Sequence, residues 1–476
     1  MSMKASATLA IIVSLATLLA FAGLIPLGRW HDEYLALHDY HQGGVGFLWE
    51  RLLHWSPRPL SELLIYFYSL TVYHVGLPLI GAFIAPFWIL LVAAILWPVL
   101  RGRQGLLPAC VLLAMLLLGH PVAEVFYWPF GVVAYLPTLT AAAMLLALDW
   151  GGWMETPTGN IWRFVALTTA AASSEVGALF TVLYIGLLIA SGSLEKARRS
   201  LIFAIPLLLS LALLYLQYTG RVAKGNEVFG DPAVAHHPGK ALLAVGNHMF
   251  FNLLRGDNRH HAAALLAGLA TKLLFLAGAY RAMSARRQDD TSPRAQRMRM
   301  VLVVASLATA ILIMAAALYN FGSLCCERHD TMRQGYVLVA LGSLATYLAI
   351  RSPSRRAHRA GPLLLLALLI PLATAAPRLM TEYRDYATVR RASSETWQSG
   401  RAAGPSMQVT QTMPGPIVGG LRIEPGVYHR IAQANDDVHW MLPFFDKEAA
   451  IVTAPINAPH DAKAPQHGAT SAPGKQ

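Results

Sequence analysis

Apolar segments long enough to cross a membrane recur along most of this chain. The first, Ser6 to Leu27, is apolar for the roughly 20 residues that a spanning helix needs. It is longer than the core of a typical signal peptide, and many apolar segments follow it, so we expect a retained first helix rather than a cleaved signal. Only 13% of the residues are charged and 55% are hydrophobic, and both values lie far from those of soluble proteins. The sequence therefore predicts an all-α polytopic membrane protein.

Basic residues between the apolar segments predict how the chain is oriented. The formal net charge is +12, and Lys and Arg gather in short stretches such as 195–199, 281–299 and 351–359. By the positive-inside rule these stretches are cytoplasmic, which gives roughly 11 spanning helices with the amino terminus in the cytoplasm and the carboxyl end outside. Membrane orientation thus explains the positive charge, and no nucleic-acid partner is expected.

The apolar pattern is broken at two places on the predicted outer side. Residues 119–131 contain two prolines, two glycines, His120 and Glu124, and non-helical backbone at this depth is tolerated only where protein buries it or water reaches it. Residues 161–190 are interrupted at Ser173-Ser174-Glu175, which predicts two short spans with Glu175 at their outer turn. Glu175 either caps the second of these helices or lines an outer cavity, and the sequence leaves both roles open.

The chain stops being apolar at Pro377. The sequence predicts a transmembrane module at 1–376, a small outer region at 377–454 and a disordered tail at 455–476. We expect the outer region to begin with a helix at 378–396, to contain short strands at 417–423 and 438–441, and to be too small for a large core of its own. Two further stretches, 60–76 and 240–254, are expected to be amphipathic helices along the outer membrane surface.

Unusual polar residues collect on the predicted outer side. They begin with the adjacent carboxylates Asp32 and Glu33, which follow the first span within a stretch rich in histidine and aromatic residues. The whole set is Asp32, Glu33, Arg58, His120, Glu124, Glu175, Arg255, Arg328, His329, Asp330 and Arg333. The charges of a through-going ion path would be distributed in depth. This one-sided arrangement therefore favours a reaction chamber that opens on one side and that lipid can reach.

Several motifs resemble those of a known class of enzymes. They are Trp30-His31-Asp32-Glu33-Tyr34 after the first span, Ser56-Pro57-Arg58-Pro59 before the second, the turn from Tyr127 to Tyr135, and Ser174-Glu175. With the layout of residues 6–376, they resemble the GT-C class of integral membrane glycosyltransferases, especially bacterial proteins related to O-antigen glucosyltransferases. The short carboxyl-terminal region departs from relatives with large periplasmic domains. The resemblance implies a GT-C-like bundle in the bacterial inner membrane that acts on the periplasmic side.

The same resemblance implies the reaction and the residues that carry it. A sugar would pass, with inversion, from a polyprenyl-phosphate donor to a cell-envelope glycan or lipid acceptor. Asp32 would be the general base for the acceptor hydroxyl and Glu33 would assist it, and a positioned base contributes about 10²- to 10⁴-fold in rate. Guanidinium groups would stabilise the leaving phosphate, because Arg can contact two oxygens at once. The candidates are Arg58, Arg328 and Arg333, with His329 and Arg255 behind them.

Other roles for these residues stay open. The outer arginines could instead form ion pairs with Glu327 or Asp330. Tyr127, Trp128 and Tyr135 could stack on a sugar face, or they could anchor the protein at the membrane interface.

A divalent cation is a further open point. His31 and the adjacent carboxylates could hold one together with His120 or Glu124, but nothing in their spacing requires it. No metal or other cofactor is assigned. The expected partners are the lipid-linked donor, the acceptor and the membrane lipids.

Two other functions compete with sugar transfer. An O-antigen polymerase or ligase would rely on outer-loop Arg and His without an acidic base after the first span. It would therefore keep its activity when Asp32 and Glu33 are both amides. A flippase or other transporter would move its substrate without forming a glycosidic bond. The sequence has no inverted repeat of the transporter kind, and its outer carboxylates are one-sided, so an enzyme is favoured over a transporter.

Overall fold

The computed structural model describes most of the chain. The described residues are 3–28, 33–102, 105–193, 201–222, 231–254, 262–284, 292–324, 326–352, 359–420, 422–430 and 437–457. Four residues named above, Trp30, His31, Asp32 and Arg255, lie outside these ranges. The predicted tail at 455–476 lies almost wholly outside them as well.

Helices make up most of the structure, about 79% of it. The first half contains α1 (Met3–Ala22), α2 (Glu33–Glu50), α3 (Pro59–Val75), α4 (Ile80–Gly102), α5 (Leu106–Met115), α6 (Ala123–Phe126), α7 (Pro129–Trp150), α8 (Pro157–Ser173) and α9 (Glu175–Ala190). The second half contains α10 (Leu201–Gln217), α11 (Pro238–Leu254), α12 (Ala262–Ser284), α13 (Pro293–Phe321), α14 (Glu327–Arg351), α15 (Ala360–Arg401) and α16 (Asp437–Phe445). The predicted all-α class is confirmed.

Seven helices of the described ranges are long and apolar enough to cross a membrane. They are α1, α4, α7, α12, α13, α15 and α10 together with the helical turn that continues it to Gly220. The multi-pass character is thus supported, whereas the predicted count of about 11 spans is not confirmed. The remaining predicted spans fall on α5, α8 and α9, which have 10, 17 and 16 residues, and on α14, whose first turn carries Glu327 and Asp330.

The break predicted within residues 161–190 occurs where the sequence places it. Ser173 is the last residue of α8, and Ser174 is the amino-terminal cap of α9, where its side chain accepts a hydrogen bond from the Gly177 amide at 3.1 Å. An extended residue with a side-chain acceptor is what a helix start requires, because the first amides of a helix have no partner within it. The two short helices therefore pack as a hairpin.

The carboxyl-terminal region differs in part from expectation. The predicted helix at 378–396 is the second half of α15, and three strands follow: β1 (Ser406–Val409), β2 (Gly426–His429) and β3 (Ala449–Val452), in the order β1-β3-β2. The predicted strand at 438–441 is wrong, because these residues lie in α16, where Val438, Met441 and Leu442 are buried at helical spacing. The predicted strand at 417–423 is wrong in its described residues, which are not in a strand.

This region shares one apolar core with the outer helices α2 and α3. Tyr34 of α2 contacts Phe444 and Phe445 of α16, with ring centroids 5.3 and 5.8 Å apart. Trp397 of α15 packs on the same two rings. The buried residues of α2, α3, α16 and the sheet form one cluster, so the small region is stabilised by the helices beneath it.

Candidate functional site

One cavity brings several of the predicted site residues together. It has a volume of about 290 Å³ and lies where α7, α9 and α14 begin and where α10 and α13 end. Its polar lining includes Arg58, Tyr135, Glu175, Arg328 and His329. Its apolar lining comes mainly from Val176, Leu179, Leu214, Ile313, Ala316 and Ala317. These five residues, which come from four separate segments of the chain, were candidates from the sequence.

Arg58 is held in the cavity by Glu175. Its Nε and Nη2 atoms both lie 2.8 Å from Oε2 of Glu175. Its guanidinium carbon lies 5.6 Å from the centre of the Tyr135 ring. Burial lowers the pKa of Arg58, but the Glu175 carboxylate outweighs burial, so the pKa stands above its usual range. Of the two roles that the sequence left open for Glu175, the structure gives it the place in the cavity lining. The helix cap of α9 is its neighbour Ser174.

Arg328 forms the second cationic group of the cavity. Its Nη1 atom lies 3.3 Å from Oε2 of Glu124, and its backbone amide donates to the same oxygen at 3.1 Å. Its guanidinium carbon lies 5.6 Å from the centre of a Trp128 ring. Its Nε atom is buried and has no hydrogen-bond partner among the described residues. Such an atom carries a desolvation cost unless a ligand or water satisfies it.

Two glycines set the distances between the segments that carry these groups. A Cβ on Gly177 would lie 1.9 Å from the Ala170 carbonyl oxygen of the neighbouring helix. A Cβ on Gly131 would lie 1.7 Å from the Glu124 carbonyl oxygen. Any larger residue would push these segments apart, so the glycines keep Glu175 and Glu124 within reach of their arginines.

Other predicted site residues are placed elsewhere. Tyr127 is fully buried, and its hydroxyl donates to the Phe21 carbonyl at 2.8 Å, so it fixes the α6–α7 turn against α1. His120 lies 3.0 Å through Nδ1 from the Pro121 carbonyl, and burial lowers its pKa to about 4. Arg333 is buried and paired with Asp330. The ion-pair alternative thus holds for Arg333, whereas the partner of Arg328 is Glu124.

The acidic pair after the first span is described only in part. Glu33 is fully buried in the first turn of α2 and is not among the residues that line the cavity. Asp32 lies outside the described residues, as does Arg255.

A second polar cluster was missed by sequence reasoning. Glu62 of α3 is almost completely buried and accepts hydrogen bonds from Arg51, whose Nε and Nη2 atoms lie 2.8 and 3.2 Å away. The Tyr40 hydroxyl also donates to Glu62. The sequence held a signal, because Glu62 stands at helical spacing from Ile65 and Ser69 on one face of α3, and the structure buries all three. Treating α3 only as an interfacial helix hid this cluster.

No metal centre is evident in the described ranges. They contain no group of three or more His, Cys, Asp or Glu side chains that could hold an ion. His31 and Asp32, which belong to the candidate cation set, lie outside these ranges.

Comparison with known proteins leaves the family open. No protein-family model, no curated protein and no solved structure matches this chain. The resemblance to membrane glycosyltransferases therefore rests on the motifs of the chain itself.

Proposed function

We propose that this chain is a GT-C-type membrane glycosyltransferase that transfers a sugar from a polyprenyl-phosphate donor to a cell-envelope glycan or lipid acceptor on the periplasmic side. The observation that carries the proposal is the cavity where Arg58 and Arg328 meet apolar walls. Paired guanidinium groups suit a phosphate, and apolar walls suit a hydrocarbon chain. A lipid phosphate has both parts.

The two arginines are oriented before any ligand arrives. Each is held by its own carboxylate and lies over an aromatic ring. Preorganised cations stabilise developing charge without the cost of rearrangement, and in many enzymes this stabilisation supplies most of the rate enhancement. The phosphate would accept a hydrogen bond from the buried Nε–H of Arg328. It would also contact the guanidinium of Arg58, which stays paired with Glu175.

The apolar part of the cavity supports lipid access. Leu214 comes from α10, which also exposes Ile205, Leu208 and Leu211. Exposed apolar side chains on a helix of spanning length face the bilayer. The donor's hydrocarbon chain would leave the cavity along this helix.

The reaction follows from the resemblance. Asp32 takes the proton of the acceptor hydroxyl while the oxygen forms a bond to the anomeric carbon. The bond from that carbon to the phosphate oxygen breaks, and the phosphate keeps the electron pair beside Arg58 and Arg328. A single displacement inverts the anomeric centre, and Glu33 orients the acceptor or assists the base.

The decisive experiment is a transfer assay with radiolabelled polyprenyl-phosphate glucose, mannose and arabinose donors, followed by thin-layer chromatography. Asp32→Asn is expected to abolish transfer while insertion persists, and Arg328→Gln is expected to lower the rate by about 10²-fold or more. The matched control is Arg384→Gln, because Arg384 is 73% exposed and lies on α15. If Asp32→Asn still transfers sugar, Asp32 is not the general base. If Arg328→Gln transfers sugar at the normal rate, Arg328 does not bind the phosphate.

The second candidate function is an O-antigen polymerase or ligase. It is favoured by the lining itself, because Arg58, Arg328 and His329 line the cavity and its carboxylate, Glu175, is already paired with Arg58. The double variant Asp32→Asn with Glu33→Gln separates the two candidates. Retained transfer of lipid-linked glycan in that variant favours the polymerase or ligase, and its loss favours the glycosyltransferase.

A further inference from the structure

A second, larger concavity lies between α1 and α4. It has a volume of about 690 Å³ and is lined by Leu18, Leu19, Ala22, Ile25, Ala85, Trp88, Ile89, Val92, Ala93, Leu96, Trp97, Leu100 and Arg101. The stretch of α4 from Ala85 to Arg101 covers about 24 Å at the usual helical rise. The concavity is therefore a groove that follows most of one spanning helix.

The groove faces outward and is apolar along its length. Leu19 is 71% exposed, and Ile89 and Leu100 also have large exposed fractions. The indole nitrogen of Trp88 donates to the Phe126 carbonyl at 3.0 Å, so the polar atom of this side chain is already satisfied. A hydrocarbon chain is the occupant that such a surface suits.

One end of the groove carries a cation. Arg101 is exposed and has no hydrogen-bond or ion-pair partner among the described residues, and the lining contains no carboxylate. Next to it, Trp97 packs against Trp153 and Trp162, with ring centroids 5.0 and 5.2 Å apart. Tryptophan and arginine at the end of a span are typical of the level of the lipid headgroups.

We propose that this groove binds one anionic phospholipid, with its headgroup phosphate at Arg101 and an acyl chain along α4. The site is distinct from the Arg58 and Arg328 cavity. That cavity lies where α7 begins, whereas the end of α4 that carries Arg101 packs at the other end of α7: a Cβ on Gly102 would lie 2.0 Å from the Gly151 carbonyl oxygen.

The shape of the groove favours a lipid over a partner helix. Helices that pair in membranes approach each other through small residues such as Gly, Ala and Ser. Here the walls are mostly Leu, Ile, Val and Trp. Side chains of this size keep a second helix at a distance, whereas a flexible acyl chain can fill the space between them.

Native mass spectrometry of the full-length protein in detergent tests the site, with added phosphatidylglycerol and phosphatidylcholine as the probes. Wild-type protein is expected to retain one phosphatidylglycerol in preference to phosphatidylcholine. Arg101→Gln is expected to weaken phosphatidylglycerol binding about fivefold, as one basic residue at the membrane surface provides. The control is Arg351→Gln, which removes an exposed arginine from the last turn of α14 and should leave binding unchanged.

A second pair of variants tests the groove itself. Ala93→Trp fills it, and Leu90→Trp adds the same side chain to an exposed position of α4 outside the lining. Loss of bound lipid with Ala93→Trp alone supports the proposal. The proposal is overturned if wild-type protein binds both lipids equally well. It is also overturned if Arg351→Gln weakens phosphatidylglycerol binding as much as Arg101→Gln does. A lipid-free dimer, or polyprenyl phosphate displacing the bound phospholipid, would also overturn it.

Discussion

Glu62 shows how a membrane protein places a carboxylate at a buried position. Its side chain is 2% exposed and that of Arg51 is 18% exposed. Burial raises the pKa of Glu62, but the Arg51 guanidinium and its hydrogen bonds outweigh burial and lower it. Glu62 is therefore a charged partner that ties the end of α2 to α3.

The variant Glu62→Gln tests the contribution of this ion pair to stability. The amide cannot balance the charge of Arg51, so we expect the free energy of unfolding to fall by about 2 kcal/mol or more. Unfolding in mixed detergent micelles measures it. The control is Glu395→Gln, which removes the partner of Arg391 from a pair with side chains 78% and 39% exposed. That change should cost about 0.3 kcal/mol, and an equal loss in both variants would contradict the special role of Glu62.

The sequence singled out several residues that line the cavity, but it did not indicate which residues they pair with. Arg58, Glu175 and Arg328 could be chosen because charge beside apolar spans is costly unless it is used. Their pairings depend on which helix ends meet, and no local pattern encodes that. The same limit explains Arg51 and Glu62, whose contact depends on the turn between α2 and α3.

The α8–α9 hairpin is the element that places Glu175. Its break could be predicted, because Ser-Ser-Glu is a strong start signal for a helix. The close packing of its two helices could not be predicted. Gly177 is required only because the Ala170 carbonyl of the neighbouring helix lies beside it, and the sequence does not show that contact. The error at 438–441 has a related cause, because a short apolar run fits a strand or a helix equally well and only its packing decides between them.

Gly177→Leu should separate the two helices and move Glu175 away from Arg58. We expect sugar transfer to fall at least about tenfold, since misplacing a group that orients the reaction costs this much or more. Gly186→Ala is the control on the same helix, because a Cβ there meets nothing within 4 Å. It should leave transfer intact and stabilise α9 by up to about 1 kcal/mol. Normal transfer by Gly177→Leu would show that the hairpin does not position the site.

At the scale of the whole molecule, two sets of charged residues lie at opposite ends of α7. Arg58 and Arg328 lie at one end, and the buried pair of Asp149 with Arg299, joined at 2.7 Å, lies at the other. α15 has 42 residues, which is about 63 Å of helix, against roughly 30 Å of hydrocarbon core. Its second half therefore extends beyond the membrane and carries the carboxyl-terminal sheet on the side of the cavity.

Labelling of single cysteines tests this arrangement, on a background in which Cys110, Cys325 and Cys326 are replaced by alanine. Ser393→Cys lies at an exposed position of α15 beyond the membrane, and Thr158→Cys lies at an exposed position in the first turn of α8. A membrane-impermeant maleimide should label Ser393→Cys in intact cells and Thr158→Cys only after permeabilisation, because the positive-inside rule places the α7–α8 turn in the cytoplasm. The reverse pattern would invert the orientation and place the cavity in the cytoplasmic half. Labelling of both positions in intact cells would mean that the two ends of the bundle do not lie on opposite sides, and a one-sided chamber would then lose its physical basis.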